Sequence, residues 1–152
     1  MPLSLVQPRV LLVPYRLDLI VKHRMFRHLM TGGDPEAEAL YRWHIEQRTG
    51  GREPGSQKHT VDDYVAGAGA LLTSMRANGF LEACPVRVGS NGRMTAGAHR
   101  TACAVALRLR VWRLDLAQPG RAADWGSDWF LSRGMAADKV AALETEREML
   151  RA

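Results

Sequence analysis

The stretch from Cys84 to Leu116, CPVRVGSNGRMTAGAHRTACAVALRLRVWRLDL, most constrains the fold of this chain. CPVRV (84–88) has the β-branched alternation of a strand, SNG supplies a tight turn, and RMT is short enough to be a returning strand. AHRTACAVALRL then has the alanine-rich apolar composition of a helix, and RVWRLDL again reads as a strand. Strand, turn, strand, helix and strand cannot be packed as a helical bundle. The expectation is an α+β or α/β domain.

The flanking segments carry helix punctuation. Asp34 is a good N-cap followed by Pro35 at the first helical position, so PEAEALYRWHIEQR should be a helix, stopped by Gly50 and Gly51. RTGGREPGSQKH (48–59) is a polar loop. Thr60 can cap a further helix with Asp63 three residues on, and Val61, Val65, Ala68, Leu72 and Met75 share one face before Asn78-Gly79 ends it. LDLIVKHRMFRHLM reads as a strand or helix start running into a helix, with Asp18 in an apolar strand-like run, where it must point to solvent or be paired, and KHRMFRH as a solvated helix face. A last helix is expected from about Ala136, and Trp112, Trp125, Trp129 and Phe130 are expected to dock the C-terminal segment.

At 152 residues, 46% of them hydrophobic and 24% charged, the chain suits one domain spanning 1–152 with its own core. No apolar run approaches the roughly 18–20 residues of a membrane helix. The N-terminal MPLSLVQPRVLLVPY lacks a basic start and is broken by prolines, so a cytoplasmic protein without membrane association is expected. Cys84 and Cys103 are expected as buried free thiols. The formal charge of +5 favours anionic ligands without choosing among them. His23, His28, His44 and His59 have no metal-site spacing, so no metal-binding residues are assigned.

The densest chemistry lies at Gly97, Ala98, His99, Arg100 and Thr101. The first turn of a helix has amides without intrahelical acceptors and the positive end of the dipole, which together suit a phosphate. Gly97 admits a close ligand, Arg100 can grip it bidentately, His99 can donate a hydrogen bond or carry a proton, and Thr101 adds a hydroxyl. The same residues also suit a plain strand-to-helix corner with a surface histidine and an arginine paired to a carboxylate.

The run DDYVAGAGALLTSMRANGFLEACPVRVGSNGRMTAGAHRTACAVALRLRVWRLD resembles the core of the ParB/sulfiredoxin superfamily, over about residues 60–116, through the order of elements and Gly79, Gly97 and Arg100. The resemblance implies a small mixed sheet, here with an N-terminal helical extension and a C-terminal helix, in a stand-alone member. The sulfiredoxins' reactive cysteine would fall at Ala98, so sulfinic acid repair is not expected. The chromosome-partitioning members bind CTP before a helix-turn-helix region, and nothing after Asp115 is long enough for one, so DNA is not expected as a partner. The free-serine kinases share Gly97, His99 and Arg100, with Ala96 where their aspartate would lie.

What the resemblance implies is a phosphotransferase that moves a phosphoryl group from ATP or ADP, with Mg²⁺, to a hydroxyl of a small molecule. The alternative is a non-catalytic module that binds CTP or ATP and regulates a partner or DNA. Phosphoryl transfer needs added cations and a base. Lys58 and then Lys22 are the candidates for the first, His99 and then Asp18 for the second. The acceptor and the oligomeric state, monomer or dimer, stay open.

Overall fold

The computed structural model of the protein describes residues 2–53, 55–121 and 124–152. The Cys84–Leu116 segment folds as its pattern predicts. β2 (Val86–Val88) buries both valines and exposes Arg87 between them, the period-two alternation of a half-covered strand. It turns at Asn91-Gly92, where Gly92 takes φ +80° and the Asn91 side chain accepts from the Arg93 amide at 3.2 Å. It returns antiparallel as β3 (Met94–Ala96). α4 (Ala98–Leu107) carries the chain across to β4 (Val111–Asp115), which pairs parallel to β2.

The fourth strand comes from the chain's start. β1 (Leu3–Val6) pairs antiparallel with β4, Leu5 opposite Trp112, and the sheet order is β1-β4-β2-β3. The sequence pattern predicts no strand there, because LSLV is only four residues long before Gln7-Pro8; pairing with β4 makes the strand. The small mixed sheet, the three α-helices between β1 and β2, α4, and the two α-helices after β4 form the expected α+β architecture.

α1 (Asp18–Thr31) is the helix around which the rest packs, touching α2, α3, α4 and α6. Leu19, Ile20, Val21, Met25 and Phe26 have no solvent exposure, as befits a helix covered on most sides. KHRMFRH is therefore not a solvated face. Lys22 and His23 are buried with Met25 and Phe26, Arg24 and His28 are half-buried, and Arg27 is exposed.

α2 (Pro35–Thr49) starts where expected, with the Asp34 carboxylate accepting from the Ala37 amide at 3.2 Å, and stops at Gly50 with φ +65°. α3 (Val61–Asn78) has the expected capping box: Thr60 Oγ1 accepts from the Asp63 amide at 3.2 Å, and the Asp63 carboxylate from the Thr60 amide at 3.0 Å. α5 (Ser127–Ser132) buries Phe130, and α6 (Ala137–Arg151) buries Val140 and Leu143 against α1 and α5. Arg147 and Arg151 both donate to the Leu12 carbonyl, tying α6 to the N-terminal segment. Cys103 is buried and free as expected; Cys84 is free but exposed, since it precedes β2 outside the core. Among the described residues no helix is long and apolar enough to cross a membrane.

Candidate functional site

Gly97 is the corner between β3 and α4, with φ +104°. A Cβ there would come within 3.0 Å of Val86 Cγ2 and 3.1 Å of Val86 Cα. The glycine thus serves both the positive φ and the close fit of the helix start on β2. No side chain caps α4, so its first-turn amides keep their donors. Thr101 turns inward: it has no exposure, and its hydroxyl donates to the Gly97 carbonyl at 2.9 Å. Arg100 is not on the cavity wall described below; its guanidinium lies beside Gly97 and reaches the Pro85 carbonyl at 3.4 Å.

In front of Gly97, Ala98 and His99 lies a cavity of about 310 Å³. Its other walls come from distant parts of the chain. Arg16 and Lys22 come from the entry and first turns of α1, Arg48 from the end of α2, Glu53 and Lys58 from the loop after it, Tyr64 from α3, and Trp125 from the segment before α5. The expected cations Lys58 and Lys22 both reach the mouth of α4. Arg16, Arg48, Tyr64 and Trp125 were not anticipated.

Asp18 is not a strand residue facing solvent. It is the first residue of α1, fully buried, and serves two cations. Arg16 grips its carboxylate bidentately at 2.8 and 2.9 Å, and Lys22 Nζ lies 2.8 Å from Oδ2. Burial alone would raise its pKa, but Lys22 and Arg16 override it and hold the carboxyl well below the ordinary range. Burial lowers the pKa of Lys22, with Arg48 and Arg16 acting in the same sense against Asp18, to about 8.

The remaining wall cations are less fully compensated. Lys58 lies 3.7 Å from Glu53 and 4.7 Å from the centre of the Tyr64 ring. Arg48 sits 5.1 Å from the centre of the Trp125 ring, with its Nε buried and without a hydrogen-bond partner. Arg16 is 5.2 Å from the same indole. Four basic side chains thus face Glu53 at the wall and Asp18 behind it, and uncapped amides add to the positive side. The cavity therefore carries more positive than negative charge.

His99 is held toward its neutral form. Burial, then Lys22, Lys58 and Arg48, push its pKa well below the ordinary imidazole value. Its Nε2 lies 2.8 Å from the Tyr41 hydroxyl, which is also 3.4 Å from the Tyr64 carbonyl. Burial raises the Tyr41 pKa, so the phenol keeps its proton. If that proton points to Tyr64, Tyr41 accepts from Nε2–H and His99 Nδ1 carries the lone pair; if it points to His99, Nδ1 is protonated. Both arrangements hold the ring in place on the wall.

The local signal that could have found the buried triad is RLDLIVK: Asp18 and Lys22 are four apart, helical neighbours in an otherwise apolar run, with Arg16 just before. No comparable signal marks Arg48 or Trp125. Among the described residues no group of three or more His, Cys, Asp or Glu side chains could hold a metal ion. The chain matches no protein-family model, no curated protein and no solved structure.

Proposed function

We propose that the chain binds a nucleotide, ADP or ATP, by its phosphates in this cavity and passes a phosphoryl group to a hydroxyl of a small molecule. The observation that carries the proposal is the surplus of buried and half-buried positive charge gathered at the uncapped start of α4. Phosphate oxygens would accept from the amides of that turn and from Lys22, Arg48 and Lys58, where partial burial strengthens each contact. A volume of about 310 Å³ is at the small end of ligand sites, which suits the phosphate chain with the rest of the nucleotide toward the mouth.

Neutral His99 is the group able to take the acceptor hydroxyl's proton, and the cations offset the charge on the transferred phosphoryl group. Mg²⁺ arriving on the nucleotide would add charge neutralisation; it needs few protein ligands, and Glu53 is the wall carboxylate able to supply one. The non-catalytic reading, a CTP- or ATP-binding module, is favoured by one observation: Asp18, the other carboxylate, is already taken by Arg16 and Lys22.

Thermal-shift titration with ADP, ATP and CTP, with and without Mg²⁺, tests the binding. A ligand at 100 times its Kd should add about 2.7 kcal/mol of stability. Arg48→Ala should weaken the response at least roughly tenfold in Kd, the scale of losing one charge-assisted contact. His99→Gln should keep binding and lose phosphoryl transfer. No response to any nucleotide removes the proposal; response without transfer in the presence of a cell extract's small molecules leaves the binding module.

A further inference from the structure

Only three of the twenty-one basic residues are lysines, at positions 22, 58 and 139, yet two of the three line this one cavity. The chain uses arginine for positive charge almost everywhere else. The difference is chemical: a guanidinium stays protonated in proteins, whereas an amine can lose its proton and become a nucleophile. Lys22 is 1% exposed and lines the cavity, with Nζ held 2.8 Å from an Asp18 carboxylate that Arg16 also grips at both oxygens. Burial beside Arg48 and Arg16 is the setting that makes a lysine less basic, and its pKa falls to about 8. His99 on the same wall supplies a neutral imidazole able to carry protons.

We propose that Lys22 captures carbonyl groups: the wall cations seat the phosphate of a phosphorylated aldehyde or ketone, and Nζ condenses with its carbonyl carbon to form an imine. The proposal rests on the phosphate-binding property of the cavity and not on phosphoryl transfer. Lys22 first gives up its ammonium proton to solvent. The neutral amine then adds to the carbonyl carbon, one N–H proton passes to the oxygen, and the carbinolamine loses water to leave C=N. No oxidant or reductant is consumed.

Pyridoxal 5′-phosphate, which carries both the aldehyde and the phosphate, is the probe, with phosphate-free pyridoxal as its control. Each is incubated with the intact chain at pH 7.5 and reduced with borohydride, whose hydride converts the imine to a stable secondary amine. The adduct is then located by peptide mass. A pKa of about 8 in place of 10.5 leaves far more neutral amine, so Lys22 should be labelled at least roughly tenfold faster than exposed Lys139. Labelling should be suppressed by inorganic phosphate, weak with pyridoxal, and lost at that position in Lys22→Arg. Mapping on the wild-type chain decides the matter if that variant does not fold. Label confined to Lys58 or Lys139, or equal label from both probes, overturns the proposal. No label with a retained thermal response to ADP removes the imine and leaves phosphate binding standing; no label and no response removes both.

Discussion

Replacing Asp18 by Asn is the sharpest test of how the cavity is held. The variant keeps the size of the side chain but leaves Arg16 and Lys22, at 5% and 1% exposure, without the carboxylate that both contact within 2.9 Å. Breaking a buried ion pair by removing one partner costs about 3–5 kcal/mol, a large share of the 5–15 kcal/mol or so that holds a domain folded. At roughly 2–4 °C per kcal/mol for a chain of this size, Tm should fall by about 6–20 °C.

The loss should depend on pH with a definite sign. Asp18 is depressed below its ordinary 3.8, so the wild type's gain from it is present above about pH 4 and disappears as pH falls further. Lys22 is also depressed, to about 8 from 10.5, so stability rises with pH wherever the unfolded chain holds that proton and the folded chain does not. Without Asp18 that pKa drops further, and the variant begins this recovery below pH 8, before the wild type does. The difference between the two proteins should therefore be greatest near pH 5–6 or so and shrink toward both pH 3 and pH 8. Urea unfolding followed by tryptophan fluorescence, with Trp125 beside Arg16 and Arg48, measures it. A cost below about 1 kcal/mol, typical of an exposed pair, or one that stays constant across that range, would refute the account of the triad.

Two further outcomes test the elements that position the site. Gly97→Ala should destabilise the fold by about 1–3 kcal/mol, because φ +104° is strained for any side chain and the new Cβ would press on Val86; a Tm equal to wild type would show that the corner is not tight. Thr60→Ala should cost about 1 kcal/mol by opening the capping box at the start of α3. Unchanged stability in chemical denaturation would contradict that assignment.

The helix starts and stops were legible because each is decided within one turn. Asp34-Pro35, Thr60 with Asp63, and the glycines at 50 and 79 settle the fate of amides or carbonyls only a few residues away. The β2-β3-α4-β4 order was legible for the same reason, since its turn and corner glycines sit beside the strands they end. Local pattern likewise drew attention to Gly97–Thr101, but it could not tell which of those side chains would face the cavity. Thr101 and Arg100 turn to backbone carbonyls, a matter of helix rotation against β2.

Burial was beyond local pattern. Asp18 and the KHRMFRH run look solvated in one dimension, and became interior because α1 is enclosed by α2, α3, α4 and α6. The N-terminal strand exists because β4 offers it an edge. The cavity is the furthest from what any stretch of chain encodes: Arg16, Arg48, Lys58, His99 and Trp125 lie on separate elements, and charge in a low-dielectric space depends on distances that packing alone creates. Amino-acid order therefore specified the elements and their ends, through hydrogen bonds closed over a few residues. Long-range packing brought Arg48 and Lys58 to the two cations that the local RLDLIVK spacing sets on Asp18, and so made a cavity with surplus positive charge.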